Sequence, residues 1–455
     1  MESHKDRTIC VVDNGLFLEI AITLSKHFGR VLYYAAWTNG YPKSNALRIG
    51  QGIKGIERVA SPWPYFDEID LWVFPDVYEG ELQEHLVKMG KRVWGCRMGE
   101  ELELDRVASK EHCKSIGIDI GPYEVITGLD PLREFLKKHD DQWVKISATR
   151  GDMETFHAKT YELAEPRLDE LEHNLGAKKK IMEFIVEQGI NPAIETGYDG
   201  YCIDGRYPKG AMTGVEIKDE AYVLKTTRYA DLPEPVRKVN DLLKPTLKDY
   251  GYRGFISTEV RCTEDGGAYL IDPTTRAGSP PSELYQMMIS NLADIIWYGA
   301  DGILIEPEFK SKWGAELLLI SEWADQNWQH ISFPEAIREN VKLRNMTMIE
   351  GEYYVIPQWT GSPEIGAVVA MGDTADEAIE ECKRLAEMVD GHSLDKPIDA
   401  LDMAKEQLDK ILGPDKPKSK AEQRAEALKA KGKISDKQYD KMMASERSDG
   451  RRNSV

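Results

Sequence analysis

Apolar residues along this chain follow two rhythms: short unbroken runs, and longer stretches that repeat every three to four positions. Between residues 8 and 95 the two alternate. TICVVD, RVLYYA, IDLWVFPD and RVWG read as buried strands. LFLEIAITLSKHFG, closed by Gly29, and GELQEHLVKMG read as amphipathic helices. Strands separated by helices predict a parallel sheet with crossover helices. Ligands in such sheets bind beyond the strand C-termini, here Asp13-Asn14-Gly15 and Pro75-Asp76. The spaced glycines of Ile49-Gly50-Gln51-Gly52-Ile53-Lys54-Gly55 lack a strand–turn–helix context. They predict a flexible loop rather than an anion cradle.

From residue 106 the elements shorten. RVASKEHCKSIGI predicts a helix stopped by Gly117, followed by the strand PYEVIT, the helix DPLREFLKKH and the strand QWVKIS. Polar ATRGDMETF and a helix over 177–184 precede the strands FIVEQG, AIETGYDGYCIDG, AMTGVEI and EAYVLKTTR. LPEPVRKVNDLLKPTLKDYG is a helix leading into 254–283, and ELYQMMISNLADIIWYGA is a single apolar helix after it. Strands follow at ELLLIS, EYYVIPQ and IGAVVAMG. TADEAIEECKRLAEMVDG opens with Thr374 and Glu377 in capping-box spacing, and DALDMAKEQLDKIL is one more helix.

Two β-prone runs, 255–262 and 268–272, flank Thr263-Glu264-Asp265-Gly266-Gly267. Asp-Gly favours a two-residue hairpin loop. That loop would put Glu259 directly opposite Asp272, with Cβ atoms about 4.5–5.5 Å apart. Two carboxylates so placed repel unless a cation lies between them. Mg²⁺ suits the position, because it takes hard oxygen ligands and bridges carboxylates to phosphates. Arg276, two pairs further on, would bring a planar donor fork to the edge of the site. Lys145, in the middle of a buried-looking strand, needs an anionic partner for its ammonium.

Composition narrows the setting. No apolar run is long enough to cross a membrane, and MESHKDRTICVVD has no signal-peptide core. Six scattered cysteines without CxxC spacing argue against zinc and a disulfide framework, and predict a cytoplasmic protein. A net charge of −19 disfavours nucleic-acid binding by the body. From Pro414 onward 12 Lys/Arg stand against 7 Asp/Glu, a net +5 that leaves −24 on the rest. A Pro/Lys-rich linker thus leads to a short basic tail suited to an acidic partner.

The order of these elements, with several motifs, resembles the ATP-grasp superfamily. Residues 8–410 are similar to its glycinamide ribonucleotide synthetase (phosphoribosylamine–glycine ligase) branch. Leu104-Asp105-Arg106, Ala108-Ser109-Lys110 and GIDIGPYEVI match the family's entry into the nucleotide domain, and IGAVVAMGDTADEAIEE its C-terminal stretch. The resemblance implies roles for individual residues. Lys110 and Lys145 would hold the ATP phosphates, under a flap at Thr149-Arg150-Gly151-Asp152. Glu187, Gln188 and Ile190 would meet the adenine, and Glu195 the ribose. Glu259 and Asp272 would carry Mg²⁺ (or Mn²⁺), with Thr274 standing where a further metal ligand is usual. Arg276 and Lys145 would be catalytic.

The implied fold is α/β: an N-terminal parallel pre-ATP-grasp domain (1–105), an ATP-grasp domain (106–325) with a small α+β lid (about 118–190), and a C-terminal α+β domain (326–412). A basic linker and tail (413–455) would follow. The implied activity is ATP-dependent carboxylate–amine ligation through an acyl phosphate, on small-molecule substrates, in a chain that could oligomerise. A phosphotransferase or a turnover-deficient nucleotide-binding partner protein is the alternative. Two departures stand out. Asp replaces the family's Glu at 272. The N-terminal loop reads Asp13-Asn14-Gly15-Leu16-Phe17-Leu18-Glu19, without the glycines and arginine that bind a ribose phosphate in the family. An acid at 13 predicts an amine acceptor other than phosphoribosylamine, unless Lys43, Arg48 or Lys54 supplies a phosphate site. Trp63, Tyr65 and Phe66 read as a packed loop.

Overall fold

The structure, a computed structural model, describes residues 4–35, 48–146, 155–190, 193–263, 266–358 and 363–412. Met1–Leu408 forms one compact unit and Asp409–Val455 a second. Arg150 and Gly151, with the rest of the flap, and Lys43 lie outside the described residues.

The N-terminal part comprises β1 (His4–Asp13), α1 (Leu18–Ser25), β2 (Phe28–Ala35), β3 (Glu57–Arg58), β4 (Leu71–Val73), α2 (Gly80–Lys88) and β5 (Arg92–Trp94). The sheet runs β3-β2-β1-β4-β5, parallel throughout, as the apolar runs predict. Its order reverses at β1, so the ends of β1 and β4 open side by side. α1 stops before Gly29, which lies inside β2. The glycine-spaced loop is docked rather than loose. Gly50 N–H donates to Met346 O at 2.8 Å and Met348 N–H to Gln51 O at 2.9 Å. A Cβ on Gly52 would meet Met348 O at 2.4 Å, so these glycines serve close backbone approach. Trp63 and Phe66 lie tilted against Trp72, but Trp63–Tyr65 is a 3₁₀ turn with Trp63 half exposed, so the packing is partial.

After α3 (Glu101–Leu104) and α4 (Arg106–Ser115) comes a small sheet with two helices: β6 (Tyr123–Thr127), α5 (Leu129–Leu136), β7 (Gln142–Ile146), β8 (Thr155–Ala158), α6 (Tyr161–Leu175) and β9 (Glu183–Gln188). α6 corrects the sequence reading, which put a helix at 177–184. Thr160 caps α6 through Leu163 N–H, and Leu168 and Leu171 bury its inner stripe. Gly176–Lys180 is only a 3₁₀ turn, and Glu183 already belongs to β9.

The largest sheet begins with β10 (Ala193–Ile203), β11 (Gly210–Ile217) and β12 (Ala221–Arg228). It continues, past α7 (Glu234–Asp249), with the hairpin β13 (Arg253–Thr263) and β14 (Ala268–Thr274). Val236, Val239, Leu243 and Leu247 of α7 pack on Ile256, Val260 and Leu270. Each fully buried leucine there contributes about 1.5–3 kcal/mol. The predicted single helix after the hairpin is broken into α8 (Ser282–Met288) and α9 (Leu292–Gly299). Asn291 causes the break: its amide donates to Glu306 O and its carbonyl accepts from Glu308 N–H, both at 2.9 Å.

The C-terminal elements are β15 (Trp313–Ile320), α10 (Glu322–Gln326), β16 (Gln329–Ser332), β17 (Val341–Leu343), β18 (Met346–Ile349), β19 (Glu352–Val355), β20 (Glu364–Gly372), α11 (Ala375–Ala386), β21 (Asp390–Gly391) and α12 (Asp399–Leu412). The capping box of Thr374 and Glu377 is present. Three antiparallel sheets result, ordered β6-β9-β7-β8, β14-β13-β10-β11-β12-β15-β20-β17 and β18-β19-β16-β21. All six cysteines are free thiols, and no described helix is long and apolar enough to cross a membrane.

Candidate functional site

Strand alternation decides where the charged residues point. In β7 and β9, Val144, Ile146, Phe184 and Val186 face α5 and α6. Lys145 and Glu187 therefore share the opposite face, one diagonal step apart, since Trp143 pairs with Glu187 and Lys145 with Ile185. In β13, Ile256 and Val260 face α7, and Thr258 bonds Asn240 of that helix. Ser257, Glu259 and Arg261 take the other side.

The hairpin register puts Glu259 directly across from Asp272, as predicted, but by a different route. Thr263, not Glu264, pairs with Gly267: Thr263 N–H donates to Gly267 O at 3.1 Å. A two-residue loop is therefore wrong, and the strands leave the turn one residue out of the predicted register. A bulge at Ile271, between the pairs Val260–Leu270 and Glu259–Asp272, restores it.

Four side chains converge from four elements, α4, β7, β9 and β14. Lys145 Nζ lies 2.9 Å from Asp272 Oδ2 and 3.3 Å from Glu187 Oε2, and Lys110 of α4 pairs with the other Glu187 oxygen. Both lysines are buried, at 6% and 4% exposure for Lys110 and Lys145, which an unpaired ammonium would not tolerate. α4 is fixed by Asp105, which accepts from Ala108 N–H at 3.0 Å, and by Arg106, which donates to Ile146 O at 2.9 Å.

Electrostatics separates the two opposed acids. Burial raises the Glu259 carboxyl well above its usual range, and the charges of Glu195 and Asp272 push it the same way. Burial would also raise Asp272, but Lys145, Arg106 and Lys110 outweigh it and hold that carboxyl low. Lys145 is raised: desolvation opposes its charge, and Asp272 and Glu187 more than restore it. Glu216 is pushed up to about 7 by burial, with Lys218 opposing and Glu195 and Glu364 adding to the shift. This face thus carries more negative charge than its lysines neutralise. Two opposed carboxylates of which one resists ionisation are hard oxygen donors suited to a divalent cation that also has phosphate or water ligands.

The remaining residues fall in different places. Arg276 lies past the end of β14; its Nε is 2.9 Å from Glu103 Oε1 and 3.9 Å from Asp76 Oδ1, and its Nη1 donates to Ala277 O. Glu103 also accepts from Thr275 N–H at 3.0 Å. Nothing in the sequence singled out Glu103, one acid among several in GEELELD. Glu195 pairs with Arg261 at 3.3 Å. Thr274 is buried opposite Ser257. Gln188 is exposed, and Ile190 packs beside Gly121. Glu187 spends its carboxylate on the two lysines.

No family model matches the chain, and no curated protein matches it. Solved structures do. Phosphoribosylamine–glycine ligase from Thermotoga maritima superposes with a TM-score of 0.58 at 17% identity, over 86% of this chain and 98% of that one. The biotin carboxylase domain of 2-oxoglutarate carboxylase from Hydrogenobacter thermophilus, solved with MgADP, ADP and bicarbonate, gives 0.61 at 13%, over 90% and 95%. N5-carboxyaminoimidazole ribonucleotide synthetase from Thermotoga maritima gives 0.54 at 13%, over 85% and 99%. The fold is that of the ATP-grasp enzymes, with an N-terminal α/β domain, and it resembles the phosphoribosylamine–glycine ligase branch.

Proposed function

We propose that this chain is an ATP-dependent ligase joining a carboxylate to an amine, with an acyl phosphate intermediate and release of ADP and phosphate. One observation carries the reading: two buried lysines from separate elements meet at Glu187, and one continues to an acid of the opposed pair Glu259–Asp272. Phosphoryl transfer needs neutralised phosphate oxygens and an aligned acceptor, not covalent help from the protein. Lys110 and Lys145 would supply positive charge to the phosphates of ATP, exchanging Glu187 and Asp272 for phosphate oxygens. Glu259 and Asp272, with Thr274 beside them, would hold Mg²⁺. The cation neutralises phosphate charge when bound. Arg276, its guanidinium steadied by Glu103, would bind the acceptor carboxylate and the charge developing on the acyl phosphate. The flap containing Arg150 and Gly151 would cover the triphosphate, Glu187, Gln188 and Ile190 would border the adenine, and Glu195 the ribose. On this reading residues 106–325 form the nucleotide-binding domain, with 118–190 as its lid.

The test is ADP release screened over amino acids and amines, with and without hydroxylamine. A ligase gives carboxylate-dependent ADP release and a hydroxamate. ADP release without a hydroxamate indicates a phosphotransferase. Absence of both across the screen would contradict catalysis of this class.

A further inference from the structure

A second cluster of buried charge lies where β1 and β4 end. Asp13 and Asp76 are each only 5% exposed. The strands are parallel neighbours, so both carboxylates emerge at the same edge of the sheet. Asp13 Oδ2 accepts three bonds: from Gly15 N–H at 3.0 Å, Phe17 N–H at 3.1 Å and the Tyr33 hydroxyl at 2.8 Å. Leu16 N–H donates to Asn14 Oδ1 at 3.2 Å. The loop's own side chains therefore occupy the N–H groups that a phosphate would need at this turn. The loop is also fixed from outside. Asn345 N–H donates to Gly15 O at 2.9 Å, and a Cβ on Gly15, at φ +111°, would meet Asn345 Oδ1 at 2.2 Å. Arg48 and Lys54, the described cations of the next loop that could have served a phosphate, are exposed.

Asp13 Oδ1 is different. It is buried and has no hydrogen-bond partner among the described residues. Burial and the charge of Asp76 push the Asp13 carboxyl up to about 6, against Tyr33 and the loop N–H groups. Asp76 accepts from Val77 N–H at 2.9 Å and from the Asn14 amide at 3.3 Å, and its Oδ1 lies 3.9 Å from Arg276 Nε. The acidic pair thus adjoins the arginine of the proposed acceptor site. A buried carboxylate with an idle oxygen, next to a second carboxylate, is costly unless a donor or cation arrives.

We propose that Asp13 and Asp76 form a subsite for an ammonium group of the amine substrate, which is cationic and carries no phosphate at this position. The assignment rests on the ligase reading above and narrows its substrate class.

Calorimetric titration of the full chain tests it, with MgADP, 1,4-diaminobutane, ethanolamine, lysine and ribose 5-phosphate as probes. At least one amine should bind the wild type in the presence of MgADP, and ribose 5-phosphate should not. Asp13→Asn and Asp76→Asn should each weaken that amine at least tenfold while MgADP affinity stays within twofold. If Asp13→Asn does not fold, Asp76→Asn and the wild-type probe comparison decide. Binding of ribose 5-phosphate, failure of every amine, or amine affinity unchanged in the folded variants would each overturn the subsite. Any of these with MgADP binding intact leaves the nucleotide reading standing. Loss of MgADP binding by the wild type would sink that reading instead.

Discussion

Buried charge is handled in different ways at the hairpin and at the end of β1. At the hairpin, Lys145 and Lys110 are paired with Glu187 and Asp272. At the end of β1, Asp13 faces Asp76 and keeps one oxygen idle. The lysines of the first arrangement are compensated at rest and can bind an anion only by exchanging partners. The second leaves one oxygen of Asp13 without a partner among the described residues, and that oxygen gains from a donor or a cation. Compensation makes Lys145 inexpensive to bury, whereas Asp13 carries a buried oxygen without a partner among the described residues. On the proposed reading, charge balance is what separates a phosphate end from an ammonium end.

The largest expected effect comes from disabling the opposed acids. Glu259→Gln or Asp272→Asn should lower turnover at saturating Mg²⁺ by at least about a thousandfold, a loss of about 4 kcal/mol in transition-state stabilisation. Glu259→Gln should leave the melting temperature unchanged or slightly higher, because it removes a carboxylate that burial and two neighbours already disfavour. Wild-type turnover in either variant would show that the hairpin does not hold the metal.

Next is the compensated lysine. Lys145→Met removes the shared partner of Asp272 and Glu187 and should cost about 1–3 kcal/mol in stability. That lies below the 3–5 kcal/mol typical of a broken buried pair, because Asp272 keeps some solvent contact. Chemical denaturation reads the stability, and nucleotide titration should show the affinity falling with it. A stable variant with unchanged nucleotide affinity would remove Lys145 from the phosphate end.

The acids that burial pushes up should show themselves in pH dependence. Burial holds Asp13 and Asp199 up at about 6 and Glu216 at about 7. Each takes up its proton more readily folded than unfolded. Its stabilising contribution is fully present below the unfolded value near 4 and is lost as pH rises through 6 to 7. Asp199 alone is worth on the order of 3 kcal/mol. Asp272, held low, acts in the opposite direction, but only below about pH 4. The ligand-free protein should therefore melt at a higher temperature at pH 5.5 than at pH 8. A flat or reversed profile between these values would contradict the assignment. Smallest of all is the basic tail: its composition offers little apolar surface to bury, so deleting 414–455 should change neither turnover nor melting temperature measurably.

Much of this architecture was legible in the sequence, because strand and helix periods are local. The parallel sheet, the strands β6, β7 and β9 with the helix α5, and the Glu259–Asp272 pairing all follow from such patterns, whereas β8 in the polar stretch after β7 does not. The pairing holds although the turn is longer than Asp-Gly suggests, because a bulge at Ile271 with no sequence signal cancels the difference. α6 was missed because Pro166 and a mostly charged face hide its apolar stripe. The break between α8 and α9 was missed because it depends on Asn291 bridging Glu306 and Glu308, a contact made in the folded chain. The role of Glu103 is likewise a tertiary fact, set by Arg276, 173 positions away.

The central claim is that the two lysines and the opposed acids form one metal-dependent nucleotide site. Calorimetric titration of ADP into the full chain, with and without Mg²⁺, in wild type and Asp272→Asn, tests it most directly. Mg²⁺ should tighten ADP binding to the wild type at least tenfold, and Asp272→Asn should remove this dependence while its fold is retained. ADP binding indifferent to Mg²⁺ in the wild type, or equally Mg²⁺-dependent in the variant, would contradict it.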